Sequence, residues 1–511
     1  MVNIKDIIDE RYSNVEWAMA NKDISYDIDG VYNRKEAASL IAEDLRLHKS
    51  VLIHADVDMD GIGAAYVMYK YILKAYKGIK IGVVINSERS HGISDTIVEY
   101  ANREFKDSLV LILDSSSSMI SDIKRIQADV VVIDHHELTN DIGANELKGY
   151  TDDNHRYVIA TNMYSKDGNI DRDMSGCMVT YSIVQRMATE TIGMQQLEEM
   201  NLSQWVGVTL LSDVIGTNNK RNQFYMEKIV GLHSLENNLN TIFEVLGGYR
   251  FNKNFINYIM VPLINSSIRI GNSRNALYYT LSKPSEFIKL RDSKIEQDTI
   301  LSELEARVED NIETFGDVLL IKNVGKKSFN GLLASRLMSK YKKTVIAYNE
   351  NMDGKYVGSF RGINPSGDYL KLFECIGAIA KGHRCAGGIE ITREQLESLI
   401  GINIDNTKDN IVIDIGKNSC NSLYEIDNIN EFKTSGYYYK LAVINSRCSS
   451  KEEINFRCIC EPRLISFHGK VYKFDVGDLD NVTGFSGGYT YGIHEVYVEL
   501  NGNNIEKYIK Y

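Results

Sequence analysis

The chain has 511 residues, of which 43% are hydrophobic and 25% are charged, a composition typical of a well-packed protein and not of a disordered or fibrous one. Its 69 acidic and 58 basic side chains leave a net charge of −11, which argues against a protein that coats nucleic acid through bulk positive charge. At about 150 residues per domain, the length predicts about three domains.

The N-terminal segment mixes charged and apolar residues, so we expect no secretory signal. No apolar run approaches the roughly 20 residues that span a bilayer, so we expect no membrane partner. The seven cysteines are scattered and odd in number, which is typical of free thiols in a reducing compartment. The sequence therefore predicts a cytoplasmic protein whose cysteines are structural.

Strands and helices alternate in the first part of the chain. Continuous apolar runs predict strands over residues 50–55, 81–85, 109–113 and 130–133. Helical spacing predicts helices over residues 62–76, 94–103 and 119–127. Strands that are apolar on both faces are typical of a buried parallel sheet, and their alternation with helices predicts a doubly wound α/β domain.

The pattern changes three times in the rest of the chain. Residues 176–248 are mainly helical, and the charge-rich stretch Pro284–Phe315 predicts one long connecting helix. A second, smaller α/β pattern follows, with strands over 318–321, 344–348 and 355–360 and a helix over 331–341. From about residue 406 the chain becomes β-rich, so we expect a small third domain there.

A run of metal-type ligands ends the first predicted strand: His54, Asp56, Asp58 and Asp60. Because alternate side chains of an extended segment share a face, we expect these four to project the same way. Three carboxylates placed together repel each other unless a cation neutralises them. The run therefore predicts metal ligands at the carboxyl edge of the sheet, where ligands collect in parallel α/β folds.

Later apolar runs end in the same residue types: Asp114, Asp134-His135-His136 and Asp213. Mixed Asp and His ligands without thiolates suit manganese or a similar divalent ion. The number of carboxylates exceeds the need of one ion and predicts a two-metal site, which can activate water for an in-line phosphoryl displacement. The alternative is that Asp114 and Asp213 cap helices while the histidines fill the core.

These motifs carry a resemblance to a known family. Asp134-His135-His136, with the upstream Asp58-x-Asp60-Gly61 and Asp114, resembles the DHH phosphoesterase superfamily. Within it, the chain is similar to the RecJ single-strand-specific exonucleases over most of residues 45–400. Four further segments resemble family motifs, and their order and spacing are more specific than any one of them: Ser87–Gly92, Pro262–Gly271, Gly358–Gly362 and Gly382–Gly388.

The resemblance implies a DHH catalytic domain over 1–275, a connecting helix over 276–315, a DHH-associated substrate-binding domain over 316–405 and a C-terminal β-rich, OB-like domain over 406–511. It implies metal ligands at Asp58, Asp60, Asp114, His135 and Asp213, with His54 or Asp56 completing the first motif. It implies catalytic roles for Asp134 and His136, the latter beside the scissile phosphate. The implied substrate-binding residues are Arg89, Asn265, Arg269, Ser359, Arg361 and His383.

Three features depart from the family pattern. Bacterial members have Gly-Asp where this chain has His54-Ala55-Asp56, and a histidine at that place is similar to the smaller DHH phosphodiesterases, which leaves the roles of His54 and Asp56 open. Lys381 stands where glycine is usual. The region after residue 406 is shorter than the family's terminal domains, and its aromatic residues suit either base stacking or a β-sheet core.

We therefore expect a metal-dependent 5′-to-3′ exonuclease that hydrolyses single-stranded DNA to mononucleotides. Its cofactors would be two divalent ions, Mn²⁺ or Mg²⁺, and its partners single-stranded DNA and a helicase or single-strand-binding protein. The polarity and the DNA preference come from the resemblance alone. The alternatives are a phosphodiesterase for short oligonucleotides or cyclic dinucleotides, which His54 favours, and a non-catalytic binding module, which predicts lost metal positions where this chain keeps them.

Overall fold

The computed structural model describes Trp17 and residues 26–400, apart from short gaps, and the backbone of separate strands beyond residue 400. The gaps are residues 48–49, 88–89, 140, 214, 216–218, 231–234, 249–250, 252–254, 309–311, 342, 352–353, 364–367 and 384–385. Contacts divide the chain into two compact units, one over Val15–Gln297 and one that contains Asp298–Tyr511.

The first unit begins with alternating helices and strands, as predicted. They are α1 (Arg34–Leu47), β1 (Ser50–Ala55), α2 (Met59–Ala75), β2 (Lys80–Ile85), α3 (Asp95–Glu104), β3 (Leu109–Leu113), α4 (Ile120–Ile123), β4 (Asp129–Asp134), β5 (Lys148–Tyr150) and β6 (Arg156–Thr161). The predicted helix over 119–127 is shorter than expected, because only Ile120–Ile123 is α-helical.

The strands form one sheet in the order β2-β1-β3-β4-β6-β5. All neighbouring pairs are parallel except the short edge strand β5, which is antiparallel to β6. Every residue of β3 and β4 is buried, as the continuous apolar runs predicted. On one face, Val110, Ile112 and Val132 pack in a common core with Ile97 and Phe105. The predicted doubly wound α/β architecture is confirmed.

Helices complete the first unit. They are α5 (Gly176–Ala188), α6 (Met194–Glu199), α7 (Ser203–Ser212), α8 (Lys220–Val230), α9 (Asn237–Val245), a π-helical turn (Ile256–Met260), α10 (Val261–Ile270) and α11 (Ser273–Leu281). A 3₁₀ segment (Pro284–Lys289) leads into α12 (Leu290–Ala306), within which the division between the two units falls.

The predicted single helix over Pro284–Phe315 is wrong at its C-terminal end. The helix ends at Ala306, and Ile312–Phe315 forms strand β7. The register pairs Ile312 with Ile321 on the next strand. Pairing with that strand gives the segment backbone hydrogen bonds and a buried Phe315, which override its helical spacing. The predicted domain boundaries near residues 275, 316 and 406 stay predictions.

The second unit has its own sheet, in the order β11-β12-β10-β9-β8-β7. Its elements are β7 (Ile312–Phe315), β8 (Val318–Lys322), a 3₁₀ turn (Lys327–Phe329), α13 (Asn330–Tyr341), β9 (Thr344–Glu350), β10 (Tyr356–Arg361), α14 (Tyr369–Cys375), β11 (Ile379–His383), β12 (Ala386–Ile391) and α15 (Arg393–Glu397). Strands β8 and β9 are parallel and the other pairs antiparallel. Val318, Leu320 and Phe360 lie in its core.

Beyond residue 400 the structure describes strands, in agreement with the predicted β-rich region. They are β13 (Ile411–Ile415), β14 (Tyr439–Lys440), β15 (Ile454–Cys458), β16 (Ser466–His468), β17 (Val471–Val476), β18 (His494–Asn501) and β19 (Asn504–Lys510). The aromatic side chains considered for base stacking lie outside the described residues. Among the residues that the structure describes, no helix is long and apolar enough to cross a membrane.

Candidate metal centre and phosphate contacts

The candidate centre lies at the carboxyl edge of the first sheet. The chain leaves β1 for β2 on one side and returns to β3 on the other, so the strand order reverses between β1 and β3. In open α/β sheets, ligands bind at such a reversal, beyond the carboxyl ends of the strands. Asp56 follows β1, Asp114 follows β3 and Asp134 ends β4, so the three strands bring their terminal carboxylates to one edge.

The shared-face argument for the first motif is wrong after Ala55, where β1 ends. Asp58 is the N-cap of α2, and its Oδ1 accepts hydrogen bonds from the N–H groups of Asp60 and Gly61 at 2.9 and 3.0 Å. Asp60 lies in the first turn of that helix. The turn from strand to helix, and not strand alternation, therefore directs these carboxylates to the site.

Asp114 combines burial with an unusual backbone conformation. Its φ of 66° lies in the left-handed region, which non-glycine residues adopt at a cost of about 1–2 kcal/mol. It is 1% exposed, and neither carboxylate oxygen accepts a hydrogen bond from the described residues. Its carboxylate therefore caps no helix, which removes the alternative role considered for it. A buried carboxylate of this kind calls for a cation.

Asp213 is equally poorly explained as a helix cap. It follows Ser212 at the C-terminal end of α7. A carboxylate is disfavoured there because the helix macrodipole is negative at that end. The position favours a nearby cation over a capping role.

A seven-residue segment, Asp171–Cys177, supports the centre from behind, and we call it the strap. The N–H groups of Gly176 and Cys177 donate to the two oxygens of Asp60 at 2.6 and 2.9 Å. Gly176 also lies against Asp114, because a Cβ built there would be 2.2 Å from Asp114 Oδ1. Only glycine lets the strap approach this closely. Sequence reasoning missed Gly176, although its place directly before a helical pattern was visible.

The strap also orients His135. The ring Nδ1 of His135 donates to the carbonyl of Met174 at 2.9 Å, so the neutral ring carries its lone pair on Nε2. That Nε2 lies 3.2 Å from Asp114 Oδ1, 3.5 Å from Asp213 Oδ2 and 3.7 Å from Asp60 Oδ2. A lone pair facing three carboxylates is repelled by them unless a cation lies between.

The distances and charges of this group fit a divalent ion. Ligands about 2.1 Å from a common octahedral ion lie about 3 Å from each other, close to the separations around His135 Nε2. Burial, followed by the charges of Asp213 and Asp58, raises the pKa of Asp60 well above its usual range. Burial and the charge of Asp60 do the same to the pKa of Asp114. A bound cation would offset the repulsion and the burial that raise these two pKa values, so these residues fit Mn²⁺ or Mg²⁺.

Asp134 and His136 form a pair beside the centre. Oδ1 of Asp134 accepts from the backbone N–H groups of His135 and His136 and, at 2.8 Å, from His136 Nδ1. Oδ2 accepts from Ser117 N–H. Although burial lowers it, the charge and hydrogen bond of Asp134 raise the pKa of His136 to about 10. One ligand atom each of Asp114, His135 and His136 lies within 4.8 Å of the others.

Arg221 anchors the strap. Its guanidinium pairs with both oxygens of Asp171 and donates to the carbonyl of Asp173 at 2.7 Å. Asn222 donates to the same carbonyl at 2.8 Å. Both residues belong to α8 and are buried. This anchor fixes the backbone whose next carbonyl orients His135.

Asp56 and His54, of which one was expected to complete the first motif, have different surroundings. Asp56 is fully buried, with Oδ1 accepting from Gly92 N–H at 3.1 Å and Oδ2 paired with Nδ1 of His91 at 2.5 Å. His54 is fully buried inside the sheet, and burial lowers its pKa to about 4. It belongs to none of the ligand groups found among the described residues. His91 was not predicted as a site residue, since its loop has no periodicity to mark it.

Two of the predicted phosphate-binding residues lie one helical turn apart on α10. Asn265 and Arg269 are four residues apart and so share a face of the helix. Both are half-buried, and Arg269 Nη1 donates to Gln297 Oε1 at 2.8 Å. Arg89 lies outside the described residues.

The second unit brings Ser359 and Arg361 together on β10. Alternate residues of a strand share a face, and a Cβ built on Gly331 would meet Arg361 Nη2 at 2.8 Å and Ser359 Oγ at 3.7 Å. Nε of Arg361 donates to Ser335 Oγ at 3.1 Å, and Nη1 donates to the Phe360 carbonyl at 2.7 Å. The guanidinium thus lies against the first turn of α13, whose N–H groups also attract anions. His383 ends β11, and its side chain is not described.

Comparison with known proteins finds similarity to one family in part of the chain and to one fold over most of it. A model of the DHH family, N-terminal domain, matches residues 50–207. A protein named as an SPbeta prophage-derived single-strand DNA-specific exonuclease of Bacillus subtilis (strain 168) is 26% identical, with 75% of this chain and 71% of that protein covered.

Two solved structures share the fold. RecJ from Thermus thermophilus in complex with Mn²⁺ has a TM-score of 0.62 at 14% identity, covering 98% of this chain and 75% of that one. An exonuclease RecJ bound to manganese has a TM-score of 0.55 at 17% identity, covering 72% of this chain and 92% of that one. Residues 50–207 therefore match the DHH family, and the chain has a RecJ-like fold.

Proposed function

We propose that the chain is a metal-dependent exonuclease that degrades single-stranded DNA from its 5′ end to mononucleotides, using two divalent ions, Mn²⁺ or Mg²⁺. One observation carries the proposal: Nε2 of His135 lies within 3.7 Å of oxygens of Asp60, Asp114 and Asp213. The relative named as a single-strand DNA-specific exonuclease supports the choice of substrate. A cytoplasmic location and a helicase or single-strand-binding protein as partner belong to the same proposal.

The carboxylates of the centre would hold the ions. We assign Asp58, Asp60, Asp114, His135 and Asp213 as ligands, because they surround the carboxyl edge of the first sheet. When bound, two ions supply an acidified water and offset the charge that develops on the phosphate oxygens. The chain itself supplies orientation: the strap holds Asp60 and His135 before any ion arrives.

His136 would contact the scissile phosphate. Its Nδ1 is held by Asp134, and its side chain is 32% exposed, so a substrate would contact the exposed part of the ring. With its pKa raised to about 10 by the charge of Asp134, against the effect of burial, the ring is cationic at neutral pH and attracts a phosphate oxygen. Asp134 acts through His136 as a positioning residue, because its own oxygens accept hydrogen bonds from the protein.

Separate groups would hold the remaining phosphates of the strand. Asn265 and Arg269 on α10, with Arg89, would serve in the first unit. Ser359, Arg361 and His383 would serve in the second unit. A guanidinium matches a phosphate in bidentate geometry, and Arg361 is already oriented by Ser335.

The decisive experiment incubates the Mn²⁺-loaded chain with long single strands labelled at either end, with duplexes, and with linear and cyclic dinucleotides. Mononucleotides released first from the 5′ end of single strands would support the proposal. Release from the 3′ end would contradict the polarity, and activity confined to dinucleotides would contradict the exonuclease assignment. The same experiment tests the alternative of a dinucleotide phosphodiesterase, which His54 favoured in the sequence.

A further inference from the structure

Three histidines near the carboxyl edge of the first sheet share one construction. His135 donates its Nδ1 hydrogen to the Met174 carbonyl, and His136 donates its own to Asp134. His91 is tied in the same way, with Nδ1 2.5 Å from Oδ2 of the buried Asp56. In His135 and His91 the tied Nδ1 leaves the lone pair of the neutral form on Nε2, which is how a protein prepares an imidazole for a metal. For His135, that Nε2 is the atom that faces the carboxylates.

The loop that carries His91 is pinned on both sides of it. Asn86, which is buried, donates its side-chain amide to the carbonyls of Ser90 and Gly92, each at 2.7 Å. The N–H of Gly92 donates to Asp56, and the N–H of Ile93 donates to a serine hydroxyl after β3 at 2.9 Å. A histidine that only faces solvent would not need these hydrogen bonds on both sides of it. The protein holds this ring in place although half of its side chain (52%) is exposed.

Gly92 shows that the loop conformation is specified by the sequence. Its φ is 83°, in the left-handed region, and a Cβ there would lie 2.6 Å from the sulfur of Met119. The backbone conformation therefore favours glycine directly after His91, and a side chain there would also displace Met119. Gly92 therefore helps to fix the conformation of the loop that carries His91.

The surroundings of His91 contain a carboxylate suited to share an ion with it. One ligand atom each of Asp56, Asp58 and His91 lies within 4.8 Å of the other two. Oδ1 of Asp58 is occupied by the first N–H groups of α2, and the residue is half-buried at the edge of the centre. This group is separate from the group of Asp60, His135 and Asp213.

We propose that His91 is a metal ligand: with Asp58 it binds the second ion through Nε2, while Asp56 stands behind it and fixes its orientation. Asp56 is then a positioning residue and not a ligand. A carboxylate, an imidazole and an ion in a row form an arrangement that also strengthens the imidazole as a donor. The inference rests on the proposed two-ion centre, but it requires nothing about the nucleic acid.

The test is a titration of Mn²⁺ into the full-length metal-free protein, followed by calorimetry and by the EPR signal of free Mn²⁺. The wild type should bind two ions. His91→Ala should weaken one of them at least tenfold and leave the other unchanged, whereas His135→Ala should weaken the other. His91→Gln, which keeps a donor for Asp56, should bind Mn²⁺ as His91→Ala does.

His155 provides a matched control. Its Nδ1 also lies 2.9 Å from a carboxylate, that of Asp152, and its side chain is 15% exposed, but it belongs to none of the ligand groups found in the described part of the chain. His155→Ala should leave both Mn²⁺ affinities unchanged. Thermal unfolding of each metal-free variant shows whether it is folded.

A double-mutant cycle separates the roles of Asp56 and His91. Asp56→Asn should lower the affinity for the second ion about 10- to 100-fold when His91 is present, as expected for a group behind a ligand. It should have no further effect in the His91→Ala background. Undiminished binding of both ions by folded His91→Ala or His91→Gln would overturn the inference, and so would an Asp56→Asn effect that persists without His91. Failure of DNA digestion with an intact cycle would refute the proposed substrate and leave this assignment standing.

Discussion

The two candidate binding regions of this protein have side chains of opposite charge: carboxylates in the first unit and a guanidinium in the second. At the edge of the first sheet, Asp60 and Asp114 are buried, and burial together with the charges of neighbouring carboxylates raises the pKa of each. In the second unit, Arg361 is half-buried, and its guanidinium is already hydrogen-bonded to a hydroxyl and a carbonyl. The first region is therefore incomplete without a cation, whereas the second is stable alone and open to an anion.

This difference predicts where substitutions will act. In the first region, removal of a carboxylate should stabilise the metal-free protein and abolish function. In the second, removal of the charge should leave the fold alone and weaken substrate binding. Four predictions test this contrast, and a fifth concerns a buried carboxyl outside both regions.

Asp114→Asn should have the largest effect on activity, a loss beyond the 10- to 100-fold typical of groups that only support a ligand. The amide is isosteric and asparagine tolerates the left-handed backbone, so the fold should survive. The metal-free variant should melt higher than the wild type, because burial and Asp60 raise the pKa of Asp114 and its charge is costly. Thermal unfolding with and without Mn²⁺ measures the stability of the metal-free variant and its stabilisation by the ion. A variant whose melting temperature rises with Mn²⁺ as much as that of the wild type would contradict the assignment.

Gly176→Ala should lower turnover about 100-fold, because the new methyl group would lie 2.2 Å from Asp114 Oδ1 and must displace either the carboxylate or the strap. Gly143→Ala is the control, since its Cβ would meet only the flexible end of Glu146 at 3.3 Å. Mn²⁺ affinity and turnover of both variants give the comparison. Equal behaviour of the two would show that the strap does not constrain Asp114.

Arg221→Lys should weaken Mn²⁺ binding about 10-fold, because an ammonium cannot pair with Asp171 twice and also reach the Asp173 carbonyl. The control is Arg186→Lys, in an ion pair with Glu190 on the surface of α5. Calorimetry on the metal-free proteins measures the affinities. A larger loss in the control, or none in Arg221→Lys, would disprove the anchoring role.

Arg361→Lys should raise KM roughly tenfold with little change in kcat, because a lysine loses the bidentate fork that binds phosphate. Ser335→Ala should give a smaller rise, since it removes only the hydrogen bond that orients the guanidinium. Arg393→Lys, a surface residue paired with Glu313 in the same unit, is the control. A fall in kcat without a change in KM would place Arg361 in the chemistry instead.

Asp44→Asn tests what burial does to a carboxyl outside the centre, and its effect is on stability alone. Burial, helped by the charge of Asp129, raises the pKa of Asp44 to about 7. The folded state therefore holds the proton more tightly than the unfolded state, and wild-type stability falls as the pH rises from about 4 through 7. The advantage of the variant should grow by about 2–3 kcal/mol between pH 5 and pH 8 in urea unfolding. A constant difference would mean that Asp44 ionises normally.

Much of the fold was predictable because its strands are buried on both faces. The apolar run at residues 109–113 has no polar position, and all of β3 is buried in the structure. The helix predicted through residue 315 failed because Ile312–Phe315 pairs with a strand, and single-sequence spacing contains no information about partners. Long-range pairing overrode the local pattern there.

The site residues also differ in whether the local sequence marks them. Asp114 and Asp134-His135-His136 were recognisable because each follows an apolar strand. His91 and Gly176 were not, because their importance lies in contacts with Asp56 and Asp114, which are distant in sequence. The expected common face of His54 and Asp58 also failed, since a strand-to-helix turn replaced the extended backbone that the expectation assumed.

The central claim is that the carboxyl edge of the first sheet is a two-ion centre. Crystals grown with Mn²⁺ and measured at a wavelength where manganese scatters anomalously test it most directly. If the centre holds two ions, two anomalous peaks should appear about 3.5–4 Å apart, one of them among Asp60, Asp114, His135 and Asp213. Well-ordered side chains with no anomalous peak at that edge would contradict it.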